Sequence, residues 1–192
     1  NDTDSVGNCL WMAVAIIIER FVYLRKIDDF RGDDFKRLKA YMLGQNYKEA
    51  VFFLSGFRAP VAELMNIVVN ERESEKNEIE VSVELEGMKK IGQIFKYLPI
   101  LKVLPNLATL LGLLGTVTGM IKNFAVVSNL GTGDPKALAS GISEALITTA
   151  TGLMIAIPIL FFYTLIINKA NNIEEKMQIY ASETLKLIKW YI

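Results

Sequence analysis

The side chains that could do chemistry in this sequence are hydroxyls and a carboxylate within or just before two long apolar runs. In the first run, one set of residues falls within about 80° around a helix of about 100° per residue: Thr109, Gly112, Thr116, Gly119 and Asn123. In a helix that holds the second run and the residues just before it, one side holds Ser140, Glu144, Thr148 and Thr151, and another side holds Thr149, Ala145 and Gly152. Rows of oxygen atoms such as these predict a polar strip that could line a path for an ion across a membrane.

Tight packing of two helices is the alternative explanation, because small and hydroxyl-bearing residues are enriched wherever membrane helices meet. Gly115 and Gly119 form a Gly-x-x-x-Gly pair, the spacing that lets two such helices approach closely. An interhelical hydrogen bond from Ser or Thr contributes only about 0.6 kcal/mol in a membrane, so a Thr→Val change should barely alter stability. Loss of activity in a variant that still assembles would therefore indicate conduction rather than packing.

Glu144 differs from the hydroxyl residues, because a carboxylate in the middle of a membrane costs about 2.5–3.5 kcal/mol. Counting about 20 residues back from Lys169 places Glu144 near the outer boundary of its span. There a solvated carboxylate, or one paired with Lys122, is ordinary. A role in ion transfer and a simple boundary position are both open for Glu144.

These side chains lie on two segments that are each long enough to cross a bilayer. A span needs about 20 apolar residues for a hydrocarbon layer about 30 Å thick, and Leu107–Val127 and Ala145–Ile167 meet that length. The segment Ser128–Pro135 between them is rich in Gly, Asn and Asp, which favour turns. The sequence therefore predicts a transmembrane helical hairpin within residues 104–168.

An earlier apolar segment, Val6–Leu24, predicts a first transmembrane helix within residues 1–25. Trp11 near one end and Tyr23 near the other suit the aromatic belts of a membrane helix. A cleaved signal peptide is the alternative. It is disfavoured because a basic cluster follows the apolar run and no small-residue cleavage site does.

The distribution of basic residues predicts the orientation of the three spans. Nineteen of the 21 Lys and Arg residues lie between Arg20 and Lys102 or from Lys169 onward. The positive-inside rule therefore assigns residues 26–103 and 169–192 to the cytoplasm. The N-terminus and the short loop Asn129–Ser140 are assigned to the outside.

Both cytoplasmic segments are predicted to be helical. Asn46 followed by Glu49 resembles a capping box at the start of one helix, and Pro60 is typical of the first turn of the next. Charges of both signs across Glu71–Glu78 predict a solvated helix face. From Asn171 onward, apolar residues at helical spacing predict a helix that packs on the other cytoplasmic helices. An amphipathic helix on the membrane surface is the alternative for this last segment.

Composition narrows the functional class. The chain has 192 residues, 52% of them hydrophobic, and a mean hydropathy of +0.30, which places it in the membrane class. Basic and acidic residues number 21 each, so a dedicated nucleic-acid surface is not supported. The chain has no His, and the single Cys9 supplies neither an internal disulfide nor a zinc site. We therefore expect no enzyme activity, no metal and no cofactor.

The hairpin residues carry a resemblance to a known family. The stretches LLGTVTGM at residues 113–120, GISEALITTATGL at residues 141–153 and AIP at residues 156–158 resemble the channel domain of the ExbB/TolQ/MotA family. The three-span layout is similar to that of ExbB and TolQ and differs from MotA, which has an extra pair of spans. The residues that match the family's functional positions are Thr116, Glu144 and Thr149, and the second choices on helical geometry are Thr148, Thr151 and Thr109.

The resemblance implies an all-α membrane protein with three transmembrane helices and long helical cytoplasmic extensions. It implies a bacterial inner-membrane location, with the N-terminus periplasmic and the C-terminus cytoplasmic. It further implies a pentamer of this chain around a central pore. In such proteins the pore holds a dimer of a smaller protein, ExbD or TolR, whose single span carries a proton-accepting Asp.

The function implied by the resemblance is that of a stator subunit. Proton flow would be coupled to mechanical work on a TonB-like protein, as in TonB-dependent uptake across the outer membrane. A TolQ-like role with a TolA-like partner, in outer-membrane integrity and cell constriction, is the alternative within the family. A non-conducting helical scaffold, whose small-residue faces only pack, is the alternative outside it.

Overall fold

Helices account for the fold of this protein. The structure is a computed structural model that describes residues 2–130 and 135–189. In these ranges the helices are α1 Asp2–Ile27, α2 Gly32–Leu43, α3 Tyr47–Ser55, α4 Pro60–Asn70, α5 Lys76–Ile94, α6 Leu98–Leu130 and α7 Pro135–Lys189. Three candidate spans in the described chain are long and apolar enough to cross a membrane. The predicted all-α membrane fold is therefore confirmed.

The chain divides into two compact units. The first unit contains the chain up to Glu19 together with Tyr97–Leu165, and it holds α6 and the first part of α7. The second unit contains Arg20–Lys96 and the chain from Ile166 onward, and it holds α2 to α5 and the last part of α7.

The helices of the hairpin are longer than the predicted spans. α6 continues to Leu130 and α7 already begins at Pro135, so the predicted loops Ser128–Pro135 and Asn129–Ser140 are wrong in their extent. Proline is favoured in the first turn of a helix because its missing N–H would have no partner there. The loop residues 131–134 lie outside the described residues.

The backbone leaves the helical conformation between α5 and α6. α5 ends at Ile94, α6 begins at Leu98, and Tyr97 just before α6 has a φ of 65°. This left-handed conformation is unfavourable for a residue with a Cβ atom and does not continue a right-handed helix. Pro105 lies within α6, which continues through it.

Two predicted helix starts have different outcomes. α4 begins at Pro60 as predicted, and the amides of Arg58 and Ala59 just before it donate to the Asp29 carboxylate, each at 2.8 Å. α3 begins directly after Asn46, but this side chain makes no capping hydrogen bond, so the predicted capping box is wrong. The ψ of 61° at Asn46 departs from the extended conformation in which an N-cap side chain reaches the helix amides.

The charged run Glu71–Glu78 is helical only in its second part. Its first five residues form the turn between α4 and α5, where the amide of Ser74 donates to the Glu71 carbonyl at 2.8 Å. The prediction of a helix face is therefore wrong for these five residues. The amide of Ser74 bonds to the carbonyl three residues earlier, within the turn, and not to the carbonyl four residues earlier as in an α-helix. From Lys76 the chain is helical, and Lys76 pairs with Glu80 at 3.1 Å with i,i+4 spacing.

The last part of α7 packs on aromatic side chains of the second unit. Tyr180 stacks on Phe35 with ring centroids 4.6 Å apart and meets Phe30 edge-on at 5.9 Å. The predicted packing of the C-terminal helix on other helices is thereby confirmed. Trp190 and Tyr191, which favoured the alternative of a membrane-surface helix, lie outside the described residues.

Asp28 ties the segment after α1 to α7 within the second unit. Its carboxylate accepts hydrogen bonds from Lys169 and, at 2.6 Å, from Lys176. Burial disfavours the charged carboxylate, but the hydrogen bonds and positive charges of the two lysines outweigh burial. They hold the pKa of Asp28 below its ordinary value.

Arg20 is buried, although its place at the end of an apolar run suggests a residue at the membrane boundary. Only 3% of its surface is exposed. Its Nη1 donates to the carbonyl oxygens of Gln93 at 2.8 Å and Ile94 at 3.4 Å, and its guanidinium lies 4.6 Å from the ring centroid of Tyr23. Because these carbonyls belong to the C-terminal turn of α5, the cation also complements the negative end of that helix.

Candidate functional site

α6 and α7 meet along a line of small residues that we call the hairpin seam. It is formed by Ala108, Gly112, Gly115, Gly119 and Asn123 of α6 and by Gly141, Ala145, Thr148, Thr149 and Gly152 of α7. A Cβ atom on Gly152 would lie 2.7 Å from the carbonyl oxygen of Ala108, and one on Gly112 would lie 3.2 Å from that of Thr148. The two backbones are therefore in contact where these glycines face each other.

Thr149 crosses the hairpin seam. Its Oγ1 donates a hydrogen bond to the carbonyl oxygen of Gly112 at 3.1 Å, in a partly buried position. The hydroxyl therefore contributes to packing within its own chain, by about 0.6 kcal/mol on average for such bonds. Its oxygen keeps lone pairs that can accept a hydrogen bond from water.

Thr148 also lies in the hairpin seam, although helical geometry groups it with Glu144. Its methyl group lies against Gly115, and its Oγ1 donates to the carbonyl oxygen of Glu144 at 3.1 Å. One turn earlier, Ala145 faces Gly119, where an added Cβ would be 3.3 Å away. Packing thus occupies the Thr148 side chain, whereas Glu144 itself is exposed.

The other threonines proposed for the pathway bond to the backbone of their own helices. In each, Oγ1 donates to a carbonyl three or four residues earlier: Thr109 to Pro105 at 3.0 Å, Thr116 to Leu113 at 2.7 Å and Thr151 to Ile147 at 2.9 Å. Such bonds satisfy the hydroxyl donor without a second helix. The free lone pairs make each oxygen an acceptor for water or for a protonated group.

Asn123 of the hairpin seam has a buried side chain whose surroundings could not be predicted from the sequence. Its carboxamide occupies the space that a Cβ on Gly141 would fill. Its Nδ2 is buried and has no hydrogen-bond partner in the part of the chain that the structure describes. Burying an amide hydrogen without an acceptor costs free energy, so this donor is available to an oxygen beyond those of the described residues.

The three family-matched residues do not converge within one chain. Among the residues that the structure describes, no hydrogen bond links Thr116, Glu144 and Thr149 to one another. Glu144 and Lys122 are both exposed. Residues 2–130 and 135–189 also contain no group of three or more Cys, Asp or Glu side chains that could hold a metal ion. The single chain therefore presents separate hydrogen-bond acceptors along two helices rather than one assembled site.

Comparison with known proteins identifies relatives of this chain. The model of the MotA/TolQ/ExbB proton channel family matches residues 45–179. An ExbB-like biopolymer transport protein of Synechocystis is 37% identical over 118 residues, covering 58% of this chain and 46% of the relative. Biopolymer transport protein ExbB of Salmonella typhimurium is 28% identical and covers 96% of this chain and 82% of the relative.

A relative from the TolQ branch also matches. Tol-Pal system protein TolQ of Haemophilus influenzae is 33% identical over 87 residues, covering 45% of this chain and 38% of the relative. The chain spans about half the length of the first curated relatives it matches.

Proposed function

Because this chain belongs to the MotA/TolQ/ExbB proton channel family, we propose that it is the channel subunit of an inner-membrane stator. It is a multi-pass membrane protein of ExbB/TolQ-like systems. The stator uses the proton motive force to do mechanical work on a TonB-like partner that spans the periplasm. That work supports uptake across the outer membrane.

The observation that supports this proposal is the chemistry of the α6–α7 hairpin. Thr116 and Thr149 present hydroxyl oxygens whose donors are already bonded to backbone carbonyls, and Glu144 is exposed on α7. Oxygen atoms in this state accept hydrogen bonds from water and so can hold a chain of water molecules along which protons move. We assign these three residues to the pathway, with Thr148, Thr151 and Thr109 as second choices.

The proton-accepting carboxylate is assigned to another chain. Neither Leu107–Val127 nor Ala145–Ile167 contains an Asp or Glu, and Glu144 lies just before the second of these runs. We propose a pentamer of this chain around a central pore that holds a dimer of an ExbD- or TolR-like protein. The N-terminus is periplasmic, residues 104–168 form the channel domain, and residues 26–103 and 169–192 are cytoplasmic.

Two alternatives have specific support. Similarity to TolQ of Haemophilus influenzae favours a subunit that acts on a TolA-like partner in outer-membrane integrity and cell constriction. The hydrogen bond from Thr149 to Gly112 is a packing contact, which favours a non-conducting scaffold. Conduction by the assembled complex separates the scaffold from both stator functions, and the identity of the periplasm-spanning partner separates the two stators.

The first test is native mass spectrometry of the complex extracted gently from its own membrane. Five copies of this chain with two copies of a small single-span protein are the expected composition. A monomer or dimer without such a companion would contradict the stator proposal and favour the scaffold alternative. The identity of the small protein decides between an ExbB-like and a TolQ-like system.

The second test measures proton flux in vesicles that contain the purified complex. Thr149→Val and Glu144→Ala are expected to abolish proton flux while the complex keeps its composition. Thr149→Ser is the matched control, because it retains the hydroxyl and should conduct. Full flux in an assembled Thr149→Val complex would remove Thr149 from the pathway.

A further inference from the structure

Lys122 of α6 and Glu144 of α7 carry opposite charges beside the hairpin seam. Lys122 directly precedes Asn123, and Glu144 directly precedes Ala145. Both charged side chains are exposed on the first unit. Neither forms an ion pair or a side-chain hydrogen bond with another residue that the structure describes. The proposed function assigns Glu144 to the proton pathway and gives Lys122 no role.

Two contacts across the hairpin seam fix the level of these residues. The Asn123 carboxamide lies against Gly141, and a Cβ on Gly119 would lie 3.3 Å from that of Ala145. α6 and α7 are therefore antiparallel here, and these two contacts set the register between them. In this register the two charged residues are about 3 Å apart along the helix axes, at a rise of about 1.5 Å per residue.

The two charged residues also lie on the same side of the hairpin seam. Each one precedes a residue that faces the other helix, and one step back along either of two antiparallel right-handed helices turns to the same side. Helical side chains lean toward the N-terminus of their own helix. Because the helices are antiparallel, Lys122 leans toward the level of Glu144, and Glu144 leans toward that of Lys122. Rotation of the two long side chains can therefore bring the ammonium to the carboxylate.

The surroundings of the hairpin favour such a pair. Lys122 lies within the apolar run Leu107–Val127, five residues before its end, and Glu144 lies just before the apolar run Ala145–Ile167. Lipid does not solvate charged side chains, so those in membrane segments pair with one another or face a water-filled cavity. A pair between these two residues neutralises both charges without a further chain.

We propose that Lys122 is the counter-ion of Glu144 and thereby determines the specificity of the proton pathway. The inference rests on the proposed function, which places Glu144 in that pathway. A carboxylate whose charge is balanced by an ammonium attracts a sodium ion only weakly, and a fixed cation raises the electrostatic barrier to metal ions. A proton binds covalently to a single oxygen atom and needs no shell of oxygen ligands. The pair therefore excludes metal ions and leaves the carboxylate able to accept a proton.

Zero-length cross-linking in the native membrane tests the contact and needs no substitution. A membrane-permeant carbodiimide activates a carboxylate, and an amine in contact with it forms an amide while the carbodiimide leaves as a urea. Lys122 and Glu144 are expected to become joined within one chain, with the loss of one molecule of water. Mass spectrometry of the digested protein detects the joined peptides. Lys122→Arg is the matched control, because its guanidinium keeps the charge but does not form this amide.

The attachment of the activated carboxylate decides the outcome. Absence of the link between Lys122 and Glu144 overturns the counter-ion. This holds whether Glu144 carries the reagent alone or is joined to a lysine of another chain, since a different group then faces the carboxylate.

Competition by sodium tests the specificity. Proton flux is measured in vesicles that contain the purified complex, with either sodium or a bulky organic cation at equal ionic strength. Lys122→Gln is expected to lower the flux several-fold in sodium relative to the organic cation, because metal ions then occupy the site beside Glu144. Lys122→Arg keeps the charge and should keep the insensitivity to sodium. Lys102→Gln is the matched control, since it removes an exposed lysine of the same helix about 30 Å away.

The outcomes separate this inference from the proposed function. An assembled Lys122→Gln complex that conducts equally well in sodium and in the organic cation overturns the specificity role and leaves the stator intact. A wild-type complex without proton flux contradicts the proposed function, and the specificity role is lost with it. The cross-link is measured without flux, so the contact between Lys122 and Glu144 is decided separately from both.

Discussion

Thr149 of α7 donates a hydrogen bond across the hairpin to the carbonyl oxygen of Gly112 on α6, at 3.1 Å. The bond exists because Gly112 has no side chain between the two backbones. The same threonine is therefore a packing residue in the single chain and a candidate pathway residue in the assembly. Loss of the packing contact changes the free energy of unfolding, whereas loss of the pathway role would change proton flux, so substitutions can separate the two roles.

Replacing the Thr149 hydroxyl is expected to have a small effect on folding. Thr149→Val keeps the side-chain volume and removes one interhelical bond, so the free energy of unfolding should fall by about 0.6 kcal/mol and by less than about 1.7 kcal/mol. Denaturation in mild detergent, followed by circular dichroism, measures the change. A loss of several kcal/mol would mean that packing accounts for any loss of proton flux in this variant.

Adding a methyl group to the hairpin seam is expected to be more damaging. Gly152→Ala places a Cβ 2.7 Å from the Ala108 carbonyl oxygen, so the two helices must separate, at a cost of about 1–3 kcal/mol. Thermal unfolding in detergent measures the loss. Gly7→Ala is the matched control, since nothing lies within 4 Å of its added Cβ and alanine favours a helix. Equal stability of the two variants would contradict the close approach of α6 and α7.

Stability should depend on pH through Asp28. Lys169 and Lys176 hold the pKa of this carboxyl below its ordinary value, so the folded state favours the charged form. The resulting stabilisation is complete above the ordinary Asp range and is lost as pH falls through the lowered pKa. At pH 7, Asp28→Asn should therefore reduce the free energy of unfolding by about 1–2 kcal/mol.

The control for this prediction is Asp33→Asn. Asp33 also pairs with a lysine, Lys36, but the side chains are 89% and 80% exposed, so solvent screens the interaction and little change is expected. Denaturation of both variants across the acidic pH range provides the comparison. A difference between wild type and Asp28→Asn that stays constant as pH falls would refute the ion-pair explanation.

Arg20 is expected to be essential for the stability of the second unit. Arg20→Met retains much of the buried volume but leaves the carbonyls of Gln93 and Ile94 without this donor, and loss of the bond to the buried Ile94 carbonyl should cost about 1–3 kcal/mol. Arg25→Met is the matched control, because Arg25 is exposed on the same helix. Hydrogen exchange at the C-terminal turn of α5 should rise in the first variant only. Unchanged exchange there would show that Arg20 does not cap the helix.

Much of the membrane fold follows from the sequence because it depends on length and composition. Leu107–Val127 and Ala145–Ile167 are long enough to cross a bilayer, and backbone polar groups in lipid must bond within the segment, which requires helices. The small residues of α6 were likewise predicted to form one face, since a fixed rotation per residue places Gly112, Gly119 and Asn123 together. Their role as the surface that meets α7 was one of two open explanations.

The tertiary structure decided which residues meet. Helical periodicity defines the faces of a helix but not the partner of each face, so it could not show that Thr148 and Thr149 both reach α6 while Glu144 is exposed. Arg20 bonds to a carbonyl 73 residues away, and no local pattern encodes a contact at that separation. α5 has apolar residues on two opposed faces, which obscures its amphipathic pattern in the sequence. Only the packing of α4 shows which face is covered, because burial depends on what the rest of the chain brings to that surface.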